Sequence, residues 1–201
     1  MAPSDLPLWH AWEAGLSADK SPHPLGFRCG FAHLARARAR YRVAVAYRGL
    51  SLDGFAFSTT DAYSALVGLV LAYGAFEQYA VGLGHKKQAA RTKWFGDFLP
   101  ADADASIRSH DPDGCIFNLI SSKVEGPVFD EVQRFRDRKD YCPSVLAAAV
   151  RHVFVHGILA ATSNGAKPSN VASLCRNLSE LLLGGLAEDF QTRVRRWQSL
   201  P

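Results

Sequence analysis

Residues 170–198 constrain the fold most, because their apolar side chains recur every three or four positions along the whole stretch. The recurring residues are Val171, Leu174, Leu178, Leu182, Leu186, Phe190, Val194 and Trp197. A period near 3.6 residues predicts one long amphipathic helix with a single buried stripe. Other apolar helices must cover such a stripe, so the pattern favours an all-α fold.

A second long apolar segment, residues 62–84, has the length of a membrane span. Glu77 and Gln78 lie inside it, and tyrosines and glycines recur along it. These interruptions favour a core helix of a helical bundle over a transmembrane helix. We expect Ser58 or Thr59 to cap the N-terminus of this helix with a side-chain oxygen.

Three segments have less regular patterns. In residues 35–48 the alternation of Arg and Ala has the period of a strand, whereas the helix propensity of both residues favours a helix. We favour the helix, because an isolated strand in a helical chain has no partner. The polar residues 99–114 are expected to form an exposed loop, and short helices are expected at 115–124 and 128–138.

These segments together predict an up-and-down bundle of four to five main helices. A further helix is expected to begin at Pro143, a favoured first-turn residue, and to end at Gly157, a favoured C-terminal residue. Residues 25–201 are expected to form the helical domain. Residues 1–24, which are rich in proline and tryptophan, are expected to form an N-terminal arm.

The composition is that of a soluble globular chain, with 48% hydrophobic and 21% charged residues. No CxxC pair or metal-ligand spacing occurs among the four cysteines, so we expect reduced thiols and a cytoplasmic location. We expect no metal and no other cofactor. The N-terminus lacks the basic start and apolar core of a signal peptide. The cysteines are Cys29, Cys115, Cys142 and Cys175.

The net charge of +4 is unevenly distributed. Residues 27–48 contain six arginines and no acid, and residues 85–96 contain four basic residues and no acid. Such clusters are typical of proteins that bind a phosphate-rich partner, although a solvated helix face gives the same pattern. The residues that we select for contacts with a phosphate backbone are Arg36, Arg40, Lys86, Lys87, Arg91 and Lys93.

Three polar residues, Arg151, His152 and His156, interrupt the apolar run PSVLAAAVRHVFVHGILAAT. A buried charge without a partner costs several kcal/mol, so we expect these residues to line a polar groove. His152 and His156 are four residues apart and share one face of a helix. Arg151 lies about 140° around the helix axis from His156, so a single chain cannot easily direct both at one atom. A two-fold dimer could, by placing two copies of this helix end across a cleft.

The order of Arg151, polar His152, three further residues and His156 resembles the motif of the HEPN superfamily (higher eukaryote and prokaryote nucleotide-binding domains). Its place in the penultimate helix, after a long apolar helix with an internal acid, is similar to that in many members. The resemblance implies a homodimeric, metal-independent endoribonuclease of toxin–antitoxin, abortive-infection or other defence systems, with a cognate antitoxin or another defence protein as partner. In some family toxins a partner nucleotidyltransferase modifies a tyrosine two residues beyond the histidine. This chain has Ile158 at that position, so the resemblance does not extend to that mode of control.

The chemistry of RNA cleavage suits these residues. Attack by the 2′-hydroxyl needs a base, an acid for the 5′-oxygen and cationic donors for the phosphorane. His156 is the expected base or acid, because imidazole titrates near neutral pH. Arg151 is expected to hold the phosphate with its planar fork, and His152 to orient the site or share the proton transfer. Glu77 is a candidate to orient Arg151.

Two alternatives use the same residues differently. In a catalytically silent HEPN dimer that binds nucleotide or a regulatory partner, Arg151 would pair with Glu77, and the histidines would satisfy backbone carbonyls. In a metal site, His152 and His156 would be a helical ligand pair. Zinc needs a third or fourth ligand, and neither an HExxH nor an ExxH pattern is present.

Overall fold

The computed structural model of the protein describes residues 4–18, 26–27, 31–137, 142–157, 160–161 and 165–199. These ranges contain nine α-helices and no β-strand, which confirms the predicted all-α class. In chain order the helices are α1 (Trp9–Ala18), α2 (Phe31–Ala46), α3 (Phe57–Gly82), α4 (Gln88–Gly96), α5 (Ala103–Ser109), α6 (Cys115–Ser121), α7 (Gly126–Arg136), α8 (Pro143–Val155) and α9 (Pro168–Gln198).

The two longest helices, α3 and α9, form the centre of the fold, and α2 and α8 also pack against α3. The predicted stripe of α9 is buried, as Leu178, Leu182 and Phe190 show with no exposed surface. By length and composition α3 could also cross a membrane. Within its most apolar stretch of 18 residues, 56% is buried inside the structure. A core helix meets the same criteria.

Several local predictions are corrected or refined by the structure. Residues 35–46 are helical, because Leu34, Ala37 and Tyr41 in α2 repeat at helical spacing and face the core. The predicted cap of α3 is wrong, because the helix begins at Phe57 and has no side-chain cap. The expected loop at 99–114 is also wrong in part, since it contains α5, whose Ala103 and Ile107 are buried one helical turn apart.

The N-terminal segment packs against the main helices. Trp9 and Trp12 of α1 are buried, and the ring of Trp9 stacks on Phe190 of α9 at a centroid distance of 5.8 Å. Arg38 of α2 also contacts this segment. Its guanidinium lies 2.6 Å from the Asp5 carboxylate and 4.7 Å from the Trp9 ring centroid. The predicted boundary between arm and domain at residues 24 and 25 lies outside the described residues.

A buried polar network joins α3 to α9. The Tyr79 hydroxyl donates a hydrogen bond to Asp189 Oδ2 at 2.7 Å, and Arg193 Nε donates to the same oxygen at 2.7 Å. Asp189 is only 2% exposed, so these two donors provide the partners that a buried carboxylate requires. The network fixes the register between the two central helices.

Candidate site at the end of α8

The helix α8 carries Arg151 and His152 on a mostly buried scaffold, and His156 is its C-cap residue. Pro143 begins the helix, as predicted, and Val150 and Val153 face the core with at most 1% of their surface exposed. The helix ends at Val155 with His156 as its C-cap, so Gly157 occupies the predicted C′ position. Gly157 follows with a positive φ of 71°, a conformation that glycine adopts without a steric penalty.

The two histidines lie together on the solvent side of this helix end. The ring centroids of His152 and His156 are 4.4 Å apart, with an angle of 57° between the ring planes. Both residues are exposed, and the His156 backbone N–H donates to the His152 carbonyl at 3.1 Å. The spacing of four residues therefore produces the shared face that the sequence predicts.

Arg151 points away from the histidine pair, towards α3. Its guanidinium carbon lies 5.8 Å from the centroid of the Tyr73 ring, within the range of a cation–π contact. Arg151 is half-buried and Tyr73 is 3% exposed. Burial raises the pKa of Tyr73, and the neighbouring Glu77 carboxylate raises it further, whereas the guanidinium groups of Arg91 and Arg151 oppose the shift. Four side chains from α3, α4 and α8 thus form one polar cluster.

Within this cluster Glu77 pairs with Arg91 of α4. The Glu77 Oε1–Arg91 Nη1 distance is 2.8 Å, while Arg91 Nε and Nη2 donate to the carbonyls of His85 and Lys86 at 3.0 and 2.9 Å. This pairing differs from the Arg151–Glu77 pair that the silent-dimer alternative predicts. The interaction ties α4 to α3. Glu77 and Arg151 share Tyr73 as a neighbour.

The six residues selected for phosphate contacts do not lie in equivalent surroundings. Arg91 is only 9% exposed, and each of its three guanidinium nitrogens donates a hydrogen bond within the chain, which makes it part of the scaffold. Arg40 is exposed and donates to the Gly74 carbonyl at 3.3 Å. The remaining four are exposed cations, namely Arg36, Lys86, Lys87 and Lys93.

Tyr73 is the residue of the cluster to which the sequence assigned no role at the site. Its spacing of four residues from Glu77 places both on one face of α3, which is the only local indication of the cluster. Its contact with Arg151 joins two helices that are far apart in the chain. A periodic pattern carries no information on such a contact.

The metal-site alternative and the position of Ile158 also concern this helix end. In the described part of the chain, no group of three or more His, Cys, Asp and Glu side chains is arranged to hold a metal ion. The histidine pair therefore has no third protein ligand from those residues. Ile158, the position that differs from some HEPN toxins, lies outside the described residues.

No protein-family model, curated protein or solved structure matches this chain. Its function is therefore inferred from the geometry at the end of α8 and from the resemblance of the motif.

Proposed function

We propose that the protein is a metal-independent endoribonuclease of the HEPN type that acts as a two-fold homodimer of up-and-down helical bundles. The observation that carries the proposal is the contact between the two exposed imidazoles, His152 and His156, at a centroid distance of 4.4 Å. Two adjacent imidazoles can share the roles of base and acid, because one can accept the 2′-hydroxyl proton while the other protonates the leaving 5′-oxygen.

Arg151 is the proposed cation for the phosphate. Its contact with the buried Tyr73 ring restricts the guanidinium, which lowers the entropic cost of holding a phosphate in a fixed position. Because Arg151 and the histidines face different directions on one helix, we propose that Arg151 of one subunit acts with His156 of the other. Val155, which is 56% exposed beside this site, would be covered at such an interface.

The exposed cations are the proposed path for the RNA backbone. We retain Arg36, Arg40, Lys86, Lys87 and Lys93 and assign Arg91 to the scaffold. Their contribution should fall as salt rises, because each phosphate contact releases bound counterions. A cytoplasmic toxin or defence effector with a cognate antitoxin is the biological role that the motif resemblance supports.

One observation favours a second candidate, a catalytically silent HEPN dimer that serves as a nucleotide-binding or regulatory module. Arg151 already has an intrachain partner in Tyr73, beside the Arg91–Glu77 pair. An arginine in that position could stabilise the packing of α8 on α3 without taking part in a reaction. The two candidates differ in what the histidines do.

The test is cleavage of a labelled, mixed-sequence single-stranded RNA in the presence of EDTA. His156→Ala should lower the rate by about 10²–10⁴-fold, the typical contribution of one positioned acid or base. His10→Ala is the matched control, since the side chain of His10 is 82% exposed on α1, and it should leave the rate unchanged. The product should carry a 2′,3′-cyclic phosphate, and the mass in solution should be that of a dimer.

Each other outcome decides against a metal-independent nuclease or against the assignment of its site. A folded dimer that binds the RNA without cleaving it would support the silent module. Cleavage that requires an added divalent metal would support the His152–His156 metal pair. Equal loss of activity in the His10 and His156 variants would show that the assay does not report on this site.

A further inference from the structure

A cleft between α2, α3 and α9 is separate from the proposed RNA site. It has a volume of about 440 Å³, within the range of about 300–1,000 Å³ that is usual for small-molecule sites. Its lining includes three small residues of α2 and α3, which we call its floor, namely Ala44, Ala65 and Gly68. The ring of Tyr47 closes one side, since a Cβ atom at Gly68 would lie 3.6 Å from Tyr47 Cδ1.

Four charged side chains line the cleft and sum to zero net charge. Two of them neutralise each other, because Arg176 donates a hydrogen bond to the Asp61 carboxylate. The other two are Arg48, two residues after the end of α2, and Glu180, on α9, and both are exposed. Arg48 donates to the Val45 carbonyl at 2.8 Å, which leaves its remaining N–H groups available.

The opposite charges of Arg48 and Glu180 are not joined to each other. Among the described residues, no ion pair within 4.0 Å connects them, although both line the same cleft. A cleft that presents one available cation after α2 and one available anion on α9 is complementary to a molecule with both charges. A net anion would be repelled by Glu180, and a net cation by Arg48.

The rim of the cleft also exposes apolar surface. Phe57 is 86% exposed and Leu50 is 40% exposed, although both are large apolar side chains. Leu183 extends the apolar lining from α9. An apolar group placed between these residues would remove their surface from water, which is favourable in proportion to the area buried.

We infer that this cleft binds a small zwitterion with an apolar body, of the size of one or two amino-acid residues. The carboxylate of the ligand would accept hydrogen bonds from Arg48, and its ammonium group would donate to Glu180. The apolar body would lie over the small-residue floor against Phe57 and Leu183. The inference does not depend on the nuclease, because no residue of the α8 site lines the cleft.

The test measures binding of the dipeptide L-phenylalanyl-L-leucine to the full-length protein by isothermal titration calorimetry. Arg48→Gln and Glu180→Gln should each weaken binding at least tenfold, because each removes one charge-assisted contact. Arg195→Gln and Glu188→Gln change the same charges at exposed positions of α9 outside the cleft. These control variants should leave the affinity unchanged.

Blocked ligands make the outcome decisive. The N-acetylated dipeptide amide keeps the apolar body without either charge, and it should bind at least tenfold more weakly than the zwitterion. Free phenylalanine, tested in parallel, distinguishes a site for one residue from a site for two. The inference is overturned if the dipeptide does not bind, if the blocked dipeptide binds equally well, or if binding persists unchanged in both cleft variants.

Discussion

Two adjacent glycines of α9 allow a sharp test of how α4 is held in the fold. A Cβ atom at Gly185 would lie 2.6 Å from Phe95 Cε2, whereas a Cβ atom at Gly184 would meet no other described residue within 4 Å, apart from its chain neighbours and the local helix backbone. Phe95 is fully buried and packs edge-on against Phe76 at a centroid distance of 5.0 Å, so its ring has little room to move. Alanine should therefore stabilise the protein at position 184 and give no gain, or a loss, at position 185.

The magnitudes follow from helix propensity and packing. Replacing glycine with alanine inside a helix stabilises it by about 1 kcal/mol, and this gain applies at both positions. Overpacking against Phe95 costs about 1–3 kcal/mol at position 185 alone. Gly184→Ala should thus stabilise the protein by about 1 kcal/mol. The Gly185→Ala variant should be about 1–3 kcal/mol less stable than the Gly184→Ala variant. At about 2–4 °C per kcal/mol, the gap in Tm is about 2–12 °C.

Urea unfolding followed by far-ultraviolet circular dichroism measures both variants under one set of conditions. Phe95→Leu in the Gly185→Ala background should recover part of the lost stability, because the smaller side chain leaves room for the added methyl group. Equal unfolding midpoints for the two alanine variants would refute the packing of Phe95 against α9. They would also weaken the placement of α4, whose Arg91 holds Glu77.

Three further predictions test other parts of the structure. Arg38 holds the pKa of Asp5 below its usual range, so Asp5→Asn should lower the free energy of unfolding at neutral pH. That deficit should be constant above about pH 5 and disappear as the pH falls through the lowered pKa, as urea titrations at several pH values would show. Burial raises the pKa of Cys175 to about 12, so mass spectrometry should find Cys175 unalkylated by iodoacetamide until the protein is unfolded in urea. Tyr79→Phe removes the donor to the buried Asp189 and should cost about 1–3 kcal/mol in urea unfolding.

Periodicity predicted the helices well where one face is strongly apolar. The segment predicted as 170–198 is α9, and the segment beginning at Pro143 is α8. The same reasoning missed α5, because its seven residues are polar except for the buried Ala103 and Ile107 and the exposed Ala105. A short helix of that kind is stabilised by the surface on which it packs, and its own sequence shows only a weak pattern.

At the candidate site, the local part of the prediction is confirmed and the contacts across helices are new. The histidine pair follows from a spacing of four residues on one helix. The pairing of Glu77 with Arg91 could not be chosen from the sequence, because several cations lie within reach of a carboxylate on α3. Geometry decided it, since α4 follows α3 after a short turn and directs Arg91 back towards it.

The sequence alone therefore determined the all-α class, the two central helices and the face shared by His152 and His156. Each of these depends on residues at most a few turns apart, whose relative positions are fixed by helix geometry. The tertiary structure decided that Arg151 lies over Tyr73 and that Arg48 and Glu180 line one cleft. Those residues are separated by many positions in the chain, so only the packing of helices against one another brings them together.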